Sequence, residues 1–146
     1  MAKENLKTPV SPQEHYEYFV GALGKNLDDL MEERFDKATI IAVAEDLRPE
    51  NADRVPAFWV SIEHGGLYSA YKFSTAGMRF ECREASLLTE DEVLVKTLRK
   101  HFDKVLVASG EDRWTDKQGG ITVGVTFEPL QGYNVTYRQC PAAPMS

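Results

Sequence analysis

The chain has 146 residues, of which 42% are hydrophobic and 27% are charged, and these values are typical of one globular domain. Its net charge of −6 argues against nucleic acid as the main partner, because binding to phosphates requires clustered Lys and Arg. The sequence contains no run of 18 apolar residues, which would predict a membrane span, and the N-terminus lacks the apolar stretch of a signal peptide.

Two cysteines, Cys82 and Cys140, are too few for a disulfide framework. Together with the missing signal peptide, this predicts a cytoplasmic protein. We expect one domain over 11–140, between a flexible N-terminus at 1–10 and a flexible tail at 141–146. The sequence does not indicate an oligomeric state.

Residues 11–34 are predicted to form a long N-terminal helix. Ser11 can cap it, Pro12 suits its first position, and Glu14 completes a capping box. Apolar residues then recur at a three-four spacing for about six turns. A helix divided at Gly24 is the alternative, because glycine weakens a helix interior. The polar face carries four acids: Asp28, Asp29, Glu32 and Glu33.

The middle of the chain has strand patterns. Residues 38–47 are β-branched and apolar on both sides, which predicts a well-covered strand. A hairpin from Phe58 to Phe73, turned at Gly65-Gly66, places its apolar pairs on one face. Trp59 then lies opposite Lys72 on the other face. A fourth strand alternates apolar and charged residues: Met78, Phe80 and Cys82 against Arg79, Glu81 and Arg83.

A second helix and a second hairpin complete the domain. A capping box of Thr89 and Glu92 is predicted to start the helix. The polar residues 109–120 are predicted to form a loop. Residues 121–127 and 133–137 alternate, and a three- or five-residue connection would put both apolar sets on one face. The order predicts an α+β fold: an antiparallel sheet of about six strands, with the long N-terminal helix and the second helix packed on one face.

Motifs for chemistry are missing from the sequence. The three histidines have no metal-ligand spacing, and neither glycine pair has the context of a phosphate loop. We therefore predict no metal, no cofactor and no catalytic residue. The rival interpretation is a motifless enzyme in which Glu81, between Arg79 and Arg83, acts as general base. A charged outer strand face is more often simple solvation.

Trp114 is the most distinctive residue of the predicted loop. Trp and Arg are the residues most enriched among interface hot spots, so Arg113-Trp114 predicts a contact with a partner protein. The alternative is that the indole folds back over the neighbouring hairpin, because large aromatics rarely stay exposed. The predicted partner-binding residues are Trp114, Arg113, Asp28, Asp29, Glu32, Glu33 and Trp59. Whether the polar sheet face or the Trp114 loop is the working surface stays open.

The C-terminal half has a recognisable arrangement. A charged helix from Thr89 leads to the loop Gly-Glu-Asp-Arg-Trp-Thr at 110–115, then to an alternating strand, a turn and the strand 132–137. With the Glu-His-Gly-Gly hairpin turn at 63–66, this resembles the YezG-like immunity proteins. The resemblance implies a small acidic antitoxin that binds and neutralises a secreted bacterial toxin without catalysis. The partner would be a basic toxin or nuclease.

Three other functions fit the same residues. A type III secretion chaperone is also acidic and has a similar element order, although such chaperones usually end in a helix. A phage-borne inhibitor of a host enzyme belongs to the same protein-binding class. A small enzyme or ligand-binding domain, with a pocket between helix and sheet, is the rival from another class.

Overall fold

The computed structural model describes residues 9–36, 38–45, 57–76, 79–118 and 120–139. These residues form one antiparallel sheet and three α-helices, which confirms the α+β class. In chain order the elements are α1 (Pro12–Val20), α2 (Leu27–Leu30), a π-helical turn (Met31–Phe35), β1 (Thr39–Glu45), β2 (Ala57–His64), β3 (Leu67–Ala76), β4 (Arg79–Thr89), α3 (Glu92–Val105), β5 (Val107–Gly110), β6 (Arg113–Thr115), β7 (Ile121–Glu128) and β8 (Gly132–Gln139).

The sheet has the order β1-β2-β3-β4-β8-β7-β6-β5, so the described residues supply eight strands where about six were expected. The two additional strands are β5 and β6, a short hairpin inside the segment expected to be a loop. Strands of three and four residues are too short to show a pattern of alternation in the sequence. Their pairing depends on β7, which β6 joins with Trp114 opposite Val123. The predicted flexible ends, apart from Pro9 and Val10, lie outside the described residues.

The long N-terminal helix is wrong, and the divided alternative describes the chain better. The predicted capping box is present, with Ser11 Oγ accepting from the Glu14 amide at 3.1 Å. However, α1 ends at Val20. The Gly24 amide donates to the Cys82 carbonyl at 2.8 Å, and the Cys82 amide donates to the Lys25 carbonyl at 2.8 Å. Gly24 takes φ +84°, a conformation that favours glycine, so the backbone leaves the helix to pair with β4.

Both predicted hairpins are confirmed. In the first, Phe58 lies opposite Phe73 and Trp59 opposite Lys72, with the turn at Gly65-Gly66. In the second, the pairing of β7 with β8 closes at Glu128 and Gly132, which leaves a three-residue loop. The registers agree with the sequence because turn geometry and alternation act on neighbouring residues.

The predicted cover of residues 38–47 is wrong for Thr39–Glu45, whereas Ala38 is partly buried. This segment is β1, an edge strand in which every residue is exposed. An apolar run is typical of a buried strand, but only the sheet order decides whether a neighbour covers it. Residues 46 and 47 lie outside the described residues.

The start of the second helix also differs from the prediction. Thr89 is the last residue of β4, and the N-cap of α3 is Asp91, whose carboxylate accepts from the Val93 and Leu94 amides at 3.1 Å. Thr89 Oγ1 instead accepts from the Asp91 amide at 3.0 Å.

The core lies between the helices and one face of the sheet. Helix α1 contacts β4 and β8, α3 contacts β5 and β8, and the π-helical turn contributes Phe35, which packs on Tyr71 and Phe73. His15 is 3% exposed, and its ring stacks on that of Phe19. The largest fully buried side chains include Phe19, Phe35, Tyr71, Phe73, Phe102 and Tyr137.

Candidate functional site

The face of the sheet turned away from the helices forms a groove of about 550 Å³ that crosses β2, β3, β4, β8 and β7 and reaches Arg113 at the start of β6. Most side chains along it are small or polar. They include Ser61, Ala70, Ser86, Thr122, Gly124, Thr126, Asn134 and Thr136. Larger groups, Trp59, Arg113 and Arg138, also line the groove. Because the helices cover the other face, this is the broad surface of the sheet on which another molecule can lie.

A β-bulge in β4 brings a carboxylate to this groove. Lys72 pairs with Glu84 and Phe73 with Cys82, so Arg83 is the extra residue. The bulge changes the alternation: Cys82 and Ala85 both belong to the core, and Glu84 lies on the groove face. Without the extra residue, Glu84 would share the face of Cys82 and enter the apolar core.

Glu84 is 4% exposed and is held by two cations from neighbouring strands. Its Oε1 accepts from Arg138 Nη2 at 2.9 Å, and its Oε2 lies 3.4 Å from Lys72 Nζ. The next cross-strand pair is a hydroxyl contact, Ser86 Oγ to Thr136 Oγ1, at 3.0 Å. These contacts tie β3, β4 and β8 together and fix the shape of the groove. Removing Lys72, whose side chain is 15% exposed, should approach the cost of about 3–5 kcal/mol for breaking a buried ion pair, whereas Arg138 is 55% exposed and water screens its contact with Glu84.

Sequence reasoning did not identify Glu84, although the sequence carries a signal for it. Apolar residues occupy even positions at Phe80 and Cys82 and odd positions at Ala85 and Leu87. Such a change of parity inside one strand indicates a bulge.

Two predicted partner-binding residues, Trp59 and Arg113, line this groove. Trp59 lies on β2, is partly exposed, and projects from the opposite face to Val60. Arg113 is the first residue of β6 and is exposed. They combine an aromatic plane with a guanidinium, the pair of groups most frequent at interface hot spots.

Trp114, in contrast, does not form part of an exposed surface. It is 4% exposed, its ring packs 5.3 Å from that of Phe102, and its Nε1 donates to Asp103 Oδ1 at 2.9 Å. The indole therefore folds back into the core, which was the alternative interpretation. Alternation along β6 places Trp114 inward and Arg113 on the groove face.

The acidic residues lie on the helix side of the sheet, away from the groove. Asp28 and Asp29 are on α2, and Glu32 and Glu33 are on the π-helical turn that packs on the core through Phe35. Glu33 forms an ion pair with Lys25 Nζ at 2.7 Å. The predicted set of binding residues is thus divided between two faces of the molecule.

Two residues of the alternative catalytic site, Glu81 and Arg83, are engaged in contacts with polar side chains. Glu81 Oε1 lies 3.7 Å from Arg83 Nη2, while Arg83 Nη1 donates to Gln139 Oε1 at 2.9 Å. Within the described ranges, no three His, Cys, Asp or Glu side chains are grouped so that they could hold a metal ion. None of the helices described is long and apolar enough to cross a membrane.

Comparisons with known proteins do not assign the chain: no family model matches it, and neither a curated protein nor a solved structure does. The similarity to YezG-like immunity proteins therefore stays a prediction.

Proposed function

We propose that this protein acts by binding another protein, with the groove face of the sheet as the contact surface. The observation that carries the proposal is the groove itself: a broad sheet face on which none of the described helices lies and which combines Trp59, Arg113 and Arg138 with a floor of small side chains. The predicted site for a partner thereby moves from the Trp114 loop to the polar sheet face.

The size of the face favours a protein partner. Five strands at a spacing of about 4.8 Å span about 19 Å, and eight residues at about 3.4 Å each span about 27 Å. The resulting area of roughly 500 Å², before surface relief is added, approaches the ~800 Å² that each partner buries in a standard interface. Small-molecule sites, in contrast, are mostly enclosed and apolar.

The side chains also indicate how a partner would be held. The small floor residues, such as Ala70, Ser86 and Gly124, allow a convex element to approach the sheet closely. Trp59 offers a large apolar area with little loss of side-chain entropy, and Arg113 offers several hydrogen-bond donors. We expect Trp59 to supply most of the binding free energy, because burying a large aromatic contributes more than an exposed charge.

Neutralising a toxin is the specific form of binding that the resemblance implies, and a domain of this kind would inhibit by covering its partner. The net charge of −6 would attract a basic partner at long range. The acidic residues Asp28 and Asp29 lie on the other side of the sheet, at least one layer of about 10 Å away. Because the Debye length is about 8 Å at physiological salt, their effect on a partner in the groove is largely screened.

Site-specific crosslinking followed by affinity measurement tests the proposal. A photoreactive amino acid replaces Thr126, which lines the groove, or Val93, which is 73% exposed on α3. We expect a partner to be captured from position 126 and not from position 93. With the purified partner, Trp59→Ala should then raise Kd at least about 30-fold, as hot-spot truncations of about 2 kcal/mol do.

Phe127→Ala is the matched control for Trp59→Ala. Phe127 is 58% exposed and lies on the same sheet face as the core residue Val125, so its loss should change Kd less than twofold. Equal effects of the two substitutions would contradict a groove interface.

If the partner is a toxin, co-expression should restore growth, and Trp59→Ala should abolish that protection. A small metabolite that competes with the partner and raises the melting temperature would favour the ligand-binding alternative.

A further inference from the structure

A second pocket, of about 680 Å³, lies at the end of the sheet where β3 begins and β4 ends. The first hairpin turn contributes Gly66 to its lining, and the connection from β4 to α3 contributes Glu90 and Asp91. Leu88 of β4 and Gln131 of the β7–β8 loop line both this pocket and the groove, so the two are continuous. We call it the end pocket.

The lining of the end pocket lies away from the gaps in the described part of the sheet. Neighbouring strands are antiparallel, so the ends of β1, β3 and β8 lie at the opposite end of the sheet from the end of β4. The gaps at 46–56 and 77–78 follow β1 and β3, and the described chain stops at the end of β8. The end pocket is therefore not an opening left by these gaps.

Apolar and aromatic side chains form a large part of the walls. Leu67 and Leu94 also pack against the core, which holds them in place. Tyr68 is 50% exposed, and an aromatic ring attracts a cation placed within about 6 Å of its centre. The residues of this kind that line the end pocket are Leu67, Tyr68, Leu87, Leu88 and Leu94.

The end pocket is negatively charged. Among the described residues that line it, the charged ones are Glu90 and Asp91, both acidic. Asp91 caps α3, and the partial charge of about +0.5 at a helix N-terminus offsets only part of these two charges. Glu90 is exposed, and its carboxylate forms no hydrogen bond or ion pair within the described ranges. An anion would be repelled here, and a purely apolar group would draw Glu90 from water without giving it a partner.

The surroundings keep this charge in place. A Cβ at Gly132 would lie 3.1 Å from Glu90 Cγ, so the β7–β8 loop packs closely against the Glu90 side chain. Lys72 and Arg138 of the groove lie four residues along their strands from the residues opposite Leu88, a distance of about 14 Å. Because the Debye length is about 8 Å at physiological salt, these cations leave the potential of the end pocket largely unchanged.

We propose that the end pocket receives a basic side chain, Lys or Arg, of the protein that occupies the groove. The methylene stem of such a side chain packs on the leucines while its charged head reaches Glu90 and the ring of Tyr68. The inference rests on the proposed function, because the pocket is continuous with the groove, and it specifies which residue type the partner inserts. The net charge of −6 likewise favours a partner that carries basic residues.

Solution NMR with single-residue probes tests the end pocket on the isolated chain. N-acetyl-arginine amide and N-acetyl-lysine amide should bind with a millimolar Kd and shift the backbone amides of Gly66, Leu88 and Gln131. The uncharged N-acetyl-norleucine amide should bind about three- to fivefold more weakly, which is the factor that a partly exposed ion pair supplies. N-acetyl-glutamate amide should cause no shift at these positions.

Glu90→Lys replaces the attraction by repulsion, so it should raise the Kd of the arginine probe more than about tenfold. Glu111→Lys is the matched control: it makes the same change at an exposed residue between β5 and β6 and should alter that Kd less than twofold. Equal binding of the arginine and norleucine probes, or no binding of either, overturns the inference. Neither result affects the groove, whose test is the effect of Trp59→Ala on partner affinity, and loss of that effect would leave the probe shifts unchanged.

Discussion

Replacing Trp114 by alanine should destabilise the protein without acting on a binding surface. The indole is 4% exposed and packs on Phe102, so nearly the whole side chain leaves water on folding. Burying about 200 Å² of aromatic surface at about 25 cal/mol per Å² contributes about 5 kcal/mol. Measured truncations of buried aromatics cost about 3–5 kcal/mol. The hydrogen bond to Asp103 adds about 1 kcal/mol, and Asp103 is exposed enough to be solvated again.

We therefore expect Trp114→Ala to lower the free energy of unfolding by about 4 kcal/mol, which corresponds to a decrease in Tm of roughly 12 °C for a domain of this length. Urea unfolding followed by circular dichroism measures the change without relying on tryptophan fluorescence. Trp114→Phe should cost about 1–2 kcal/mol, because most of the ring contact remains.

Trp59→Ala is the control, since it removes the only other tryptophan. Trp59 is partly exposed on the groove face, so its removal should cost less than about 1 kcal/mol of stability. The two variants should therefore separate: Trp114→Ala loses stability and Trp59→Ala loses partner affinity. If Trp114→Ala melts within about 3 °C of the unaltered chain, about 1 kcal/mol, the indole is not part of the core and the reasoning fails.

Three further predictions concern single residues. Burial lowers the pKa of His15, so the unfolded chain binds more protons and stability should fall as pH drops below about 6.5, by at most about 1.4 kcal/mol per pH unit. Urea unfolding between pH 5 and 8 measures this slope, and His15→Phe should reduce it; an unchanged slope would exclude His15 as its source. Burial raises the pKa of Cys82 to about 12, so in a Cys140→Ala background a thiol reagent should label the folded protein far more slowly than the unfolded one. Gly132→Ala should destabilise more than Gly66→Ala, although both glycines have positive φ, because only at Gly132 would the new Cβ lie 2.7 Å from the Thr89 carbonyl oxygen. Similar melting temperatures for these two variants would contradict that clash.

Local patterns in the sequence were sufficient for the capping box of α1, for both hairpins and for the register of the first, whereas the second hairpin was left open between a three- and a five-residue loop. Each depends on residues close together in the chain: Ser11 with Glu14, the turn at Gly65-Gly66, and the short connection between β7 and β8. Turn geometry and side-chain alternation act at this range, so the sequence by itself determined these elements.

Tertiary structure decided the features that depend on distant partners. The first helix is interrupted because Gly24 and Lys25 pair with Cys82, and the apolar strand β1 is an edge because, among the described strands, β2 is its only neighbour. Trp114 is buried because Phe102 of α3 lies against it. Glu84 reaches the groove because a bulge opposite Lys72 changes the alternation of β4, and Arg138 of a strand far along the chain then holds it. Propensity and periodicity describe one segment at a time, whereas burial depends on which segments meet.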